Sequence, residues 1–128
     1  MNYQSEIIYY NGIKLHVQTK NNNKFVNYTK LFKLLTGSDI KFIEFIKFDF
    51  FANFVYNYMK EKNNSYTYIK YNDLMSVVNN TNKVFYEYYN QNEYEGIYGP
   101  IEMLLLVLIL YSPETLSEIN KKIINNLN

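Results

Sequence analysis

The dipeptide Asn11-Gly12 constrains this chain more than any other feature of its sequence. Asn-Gly is the favoured centre of a two-residue type I′ turn, because both central positions need positive φ and both residues tolerate it. On either side the sequence reads as strand, Ile7 to Tyr10 before the turn and Ile13 to Thr19 after it. In the second arm Ile13, Leu15 and Val17 alternate with Lys14, His16 and Gln18. Side chains along a strand point alternately to opposite faces, so one face packs inward and the other presents a base, an imidazole and an amide to solvent. The chain therefore opens on an antiparallel hairpin, and because helical spacing follows it, the α+β class is expected.

After Lys20 and an Asn-rich turn, Tyr28, Leu31, Phe32 and Leu35 recur at helical spacing, with Asn27 as a cap and Gly37 as a stop. Lys30 and Lys33 mark the opposite face of this helix, with Thr29 beside them in the first turn. A short Gly37-Ser38-Asp39 junction, of the helix-turn-helix kind, leads to a second helix in which Ile40, Ile43 and Ile46 alternate with Lys41, Glu44 and Lys47. Phe51, Phe54, Val55, Tyr58 and Met59 form a third apolar stripe, and the polar stretch from Lys60 to Ser65 leaves the core. Tyr66 to Tyr71 alternate as a short strand, and Asp73 to Val78 allow one or two helical turns. Val84 to Tyr89 and Tyr94 to Tyr98 read as a second hairpin about a turn near Asn90 to Asn92. The apolar run Met103 to Leu110 reads as a buried helix, since eight residues fall far short of the roughly 20 needed to span a bilayer. Ser112-Pro113-Glu114 gives a cap, a proline at the first helical position and an early acid, so a last helix runs to about Leu127.

At 128 residues and 48% hydrophobic the chain supports one core and one domain, residues 1–128. It has no cysteine, which excludes disulfides, thiolate zinc sites and cysteine nucleophiles. His16 is the only histidine, so no metal set rests on imidazoles. There is no Gly-rich phosphate loop, nucleophile elbow or paired-carboxylate arrangement, so neither an enzyme nor a cofactor or small-molecule substrate is expected. The N-terminal segment has neither a basic stretch nor a long apolar run, which points to an intracellular, non-membrane protein. Glycosylation triplets at Asn27, Asn63 and Asn79 are chance products of an Asn-rich chain. That richness, with the abundant Lys, Ile, Tyr and Phe, matches the residues that AT-rich codons specify.

The net charge of +1 hides an asymmetry. Residues 1–48 hold seven lysines against Glu6, Asp39 and Glu44, a net +4, whereas the remainder is net −3. All 13 basic residues are lysines. Such a split reads either as an electrostatic footprint in the first half or as a merely solvated lysine face.

Three stretches lie in the order expected of the KilA-N domain. Tyr10-Asn11-Gly12-Ile13-Lys14-Leu15-His16-Val17 resembles that family's opening strands. Phe25-Val26-Asn27-Tyr28-Thr29-Lys30 resembles its Asn-Ala-Thr-Lys signature, with Tyr28 in place of alanine. Gly96-Ile97-Tyr98-Gly99-Pro100-Ile101, followed by an apolar helix and Tyr111-Ser112-Pro113-Glu114, resembles its Gly-Thr-Trp-Val/Ile-His-Pro block ending in Ser-Pro-Glu. Tyr98 and Gly99 stand where the family often has Trp and His. The family is a DNA-binding module of large DNA viruses and phages, similar to the fungal APSES domain. The resemblance covers about residues 6–124 and implies a winged-helix-like fold of hairpin, central helices, second hairpin and two C-terminal helices.

It also implies binding of nucleic acid, double-stranded DNA, by an intracellular viral protein. The implied phosphate-binding face is Lys30, Lys33, Lys41 and Lys47, extended by Lys14, Lys20 and Lys24, with Thr29 in the exposed first turn and His16 within reach. Asn27 reads as a structural cap. The second hairpin, rich in Tyr86, Tyr88 and Tyr89, reads as a wing or as packed strand residues. Without arginine, the part of affinity and base reading that Arg supplies bidentately falls to Lys, Asn, Gln or backbone. The alternative is a module that keeps the fold but binds a protein partner or forms a homodimer through its acidic, Tyr-rich second half.

Overall fold

A computed structural model describes residues 3–62 and 65–128. Among them the chain runs β1 (Gln4–Tyr10), β2 (Ile13–Lys20), β3 (Asn23–Asn27), α1 (Tyr28–Thr36), α2 (Ile40–Ile46), α3 (Asp49–Lys62) and α4 (Leu74–Asn80). Then follow β4 (Tyr86–Tyr88), β5 (Gly96–Pro100), a single 3-10 turn at Ile101–Met103, α5 (Leu104–Tyr111) and α6 (Pro113–Leu127). The fold is α+β: a five-stranded antiparallel sheet in the order β1-β2-β3-β5-β4, with helices packed on it.

Asn11 and Gly12 make the expected turn, with φ of 49° and 80° and Tyr10 facing Ile13. Asn21 and Asn22 repeat the device, with φ of 52° and 66° closing Lys20 onto Asn23. The stretch after Lys20 is thus a second tight turn and a third strand, where the sequence reading had only an Asn-rich turn. Asn tolerates the left-handed region because its short amide satisfies the local backbone, so the Asn pair does here what Asn-Gly does in the first turn.

One face of the sheet buries Leu15, Val17, Val26 and Ile97 against the helices. The core there is aromatic: Phe32 stacks on Phe42 at 4.8 Å, and Phe45 meets Phe32, Phe51 and Tyr111. Each such pair adds about 0.5–1.5 kcal/mol to the burial of its area. This explains a difference in α2. Its buried residues are Phe42, Phe45 and Ile46, while Ile40, expected on the apolar stripe, is exposed. The larger rings take the inward face because they bury more area and stack on Phe32.

Three further expectations change. Tyr66 to Tyr71 form no strand; the hydroxyls of Tyr66 and Tyr71 bond to each other, and Tyr68 and Tyr71 set their rings against Tyr56 and Phe51 of α3. Side-chain packing replaces strand pairing there. The second hairpin is not a free wing, because β5 pairs with β3 on its other side and lies inside the sheet. The run 103–110 is only partly buried: Val107 and Leu108 are inside, whereas Leu105 and Leu110 are exposed. Asn63 and Asn64, the first two residues of one glycosylation triplet, lie outside the described residues. No helix among the described residues is long and apolar enough to cross a membrane.

Candidate functional site

The second face of the sheet, expected to meet solvent, is covered. Residues opposite one another in register share a face, which places His16, Gln18, Phe25, Asn27, Tyr98 and Tyr86 together. Tyr3 stacks on Tyr86 at 4.8 Å and Tyr86 on Tyr98 at 5.4 Å. Gln18 is fully buried; its Oε1 accepts from the Tyr86 hydroxyl and its amide donates to Ser5.

The loop between β4 and β5 folds across this face because Asn27 holds it. The Asn27 amide donates to the carbonyls of Tyr94 and Glu95, at 3.2 and 3.0 Å, while its Oδ1 accepts from Lys30 N–H as the cap of α1. Tyr98 donates to the Tyr94 carbonyl at 2.5 Å. Gly96 is required where it stands, since a Cβ there would overlap the Asn27 amide. The loop sets the Tyr94 ring edge-on to His16 at 5.7 Å and leaves His16 only 9% exposed. The expectation of a solvent-exposed imidazole is thereby corrected: a loop 78 residues away in sequence covers it, which strand alternation does not register.

Strand β3 ends at Asn27, whereas β2 runs on to Ile13 at its other end, so α1 lies beside the first half of β2 in place of a strand. Lys14 and His16 project from one face of β2, and Lys30 and Lys33, one turn apart, project from α1. Together with Leu34 they line one concavity of about 270 Å³. Lys14, Lys30 and Lys33 enter no ion pair among the described residues. Leu34, 56% exposed, is a wall the sequence reading missed; its signal was an apolar residue off the Tyr28, Leu31, Phe32, Leu35 stripe and beside the two lysines.

The other proposed site residues are elsewhere. Lys20 lies six residues along β2 from Lys14, about 20 Å at 3.3 Å per residue, with its ammonium over the Tyr3 ring. Lys24 is paired with Glu6 at 3.3 Å and Lys41 with Glu44 at 3.2 Å. Lys47 caps the C-terminus of α2 and is exposed outside the concavity. Thr29 Oγ1 accepts from Ile97 N–H at 2.9 Å and continues the sheet pairing, and Thr29 does not line the concavity.

Within the concavity, burial and the neighbouring Lys30 and Lys14 ammonium groups lower the His16 pKa below the ordinary imidazole value, and Glu93 opposes them. Nδ1 of His16 is shut from solvent without a hydrogen-bond partner. The concavity is so lined by three lysines and an imidazole that burial and two of those lysines keep from charging. It is suited to an anion. A larger concavity of about 410 Å³, between the first turn and α6, is walled by Glu114 and Glu118 and repels one. Among the described residues no group of three or more His, Asp or Glu is placed to hold a metal ion. No family model, curated protein or solved structure matches the chain.

Proposed function

We propose that this chain is a winged-helix-like, KilA-N-type module that binds nucleic acid, double-stranded DNA, without catalysis, by holding backbone phosphate at the Lys14–Lys30–Lys33 concavity. The observation that carries the reading is the convergence of unpaired lysines from two separate elements on one concave site. Scattered surface lysines have no reason to converge. Phosphate contacts supply position and affinity and leave base identity unread, which suits a chain without arginine.

The two blocks that carry the resemblance pack against each other. The block Phe25 to Lys30 spans the β3–α1 junction, and the block from Gly96 is β5. They interlock: Asn27 binds the Glu95 carbonyl, Thr29 receives Ile97 N–H, and the Tyr28 hydroxyl donates to the Pro100 carbonyl at 2.6 Å. Tyr28, the departure from the expected alanine, thus has a structural job.

Anisotropy titration of duplex DNA at several salt concentrations tests the reading. One phosphate seated among the three lysines gives a log-log salt slope of about −0.9, at roughly 0.9 per phosphate. The double variant Lys30→Ala, Lys33→Ala is expected to remove most of that slope and weaken binding, while Lys24→Ala, already paired with Glu6, leaves it nearly unchanged. Absence of binding at low salt refutes the reading. Attention then moves to self-association through the exposed Leu116, Ile123, Ile124 and Leu127 of α6, which sedimentation detects.

A further inference from the structure

We propose that the concavity is a proton-coupled phosphoryl site, in which a phosphate group seated among Lys14, Lys30 and Lys33 draws a proton from solvent onto His16. This rests on the reading that the site takes phosphate. Among the described residues His16 Nδ1 is buried without a hydrogen-bond partner, its ring meets Tyr94 edge-on, and His16 lines the concavity.

The charged groups around the imidazole are Lys14 on its own strand, Lys30 and Lys33 on α1, and Glu93 in the loop carrying Tyr94. In the free protein the two nearer lysines and burial disfavour the imidazolium, and Glu93 is too weak to reverse them. A bound phosphate adds negative charge in the same small volume, which offsets the effect of those lysines and favours the imidazolium. The His16 pKa is then higher in the bound state than in the free state. By linkage, binding takes up protons: affinity is greatest below the free-state value and declines as pH rises through the bound-state value. Each pKa unit restored by phosphate corresponds to about tenfold in affinity.

As the sole histidine, His16 gives an unambiguous imidazole NMR signal. The titration is measured on the whole chain, free, with inorganic phosphate, and with duplexes carrying or lacking a 5′-terminal phosphate. Duplex affinity is measured in parallel from about pH 8 to about pH 5.5. The expected result is a His16 midpoint that moves up with ligand, affinity that rises several-fold toward low pH, and loss of that pH dependence in His16→Gln. Should that variant fold poorly, Lys14→Gln with Lys33→Gln, both exposed positions, is expected to abolish the ligand-induced shift of an intact His16. A larger shift with the 5′-phosphorylated duplex assigns a terminal phosphate as the source; equal shifts assign the backbone. Duplex binding that is flat with pH and leaves His16 unmoved overturns the proposal while the nucleic-acid reading stands. A His16 shift with inorganic phosphate but no duplex binding upholds the phosphoryl site and removes nucleic acid as its ligand. No shift with any of these overturns the proposal.

Discussion

Asn27 shows how much of this site depends on one buried amide. It was legible as a helix cap, and the cap bond to Lys30 N–H is present. Its second task, holding the loop carbonyls of Tyr94 and Glu95, was not legible, since nothing local links positions 68 residues apart. Replacement by alanine removes an N-cap, at about 1 kcal/mol, and strands buried carbonyls, at about 1–3 kcal/mol. Asn27→Ala is therefore expected to cost about 2 kcal/mol or more, read as a lower urea midpoint at unchanged slope. The same variant frees the loop, so the Tyr94 ring is expected to leave His16. His16 shows the converse: its place on β2 was readable, its burial was not.

At the scale of elements, local signals placed starts and stops well. Asn11-Gly12, the Asn27 cap and Ser112-Pro113 each act on backbone within a few residues. Elements whose existence depends on a distant partner were misread: β3 needs β5, and 66–71 finds no strand to pair with. Helix α6 is thinly covered beyond its first turn. From Leu116 onward it is exposed at every residue except the half-buried Ile119, although Asn11 reaches Glu118 at 2.8 Å. Amide exchange follows local opening free energy, so the amides of residues 119–127 are expected to exchange far faster than those of Leu31 to Leu35 in α1. Equal protection of the two in dilute solution would mean that α6 is covered, and hence that the chain self-associates.

For the whole molecule, tyrosine burial makes stability sensitive to alkali. Burial is the leading cause that raises Tyr28, Tyr71, Tyr86 and Tyr98, with Tyr98 pushed up to about 12. A tyrosine with a raised folded-state value keeps its proton in the native state after the unfolded chain has lost it. Its stabilising share is therefore complete below about pH 10, the unfolded value, and drains as pH rises toward about 12 for Tyr98. Urea midpoints are expected to fall steeply above about pH 10, and to fall less in Tyr98→Phe relative to that variant's own neutral value.

The sequence by itself determined the α+β class, the first turn, the caps, the aromatic core and the charge excess of the first half, because these depend on composition, spacing and contacts within a turn or two. Tertiary structure decided which lysines act together. Lys14, Lys30 and Lys33 converge because α1 replaces a strand beside β2, whereas Lys20 is carried to the far end of β2, Lys24 and Lys41 are tied to Glu6 and Glu44, and Lys47 lies outside the concavity. Chain closure also turned a strand face patterned for solvent into a buried tyrosine layer. Side-chain alternation fixes which residues share a face; only the long-range fold decides what lies over it.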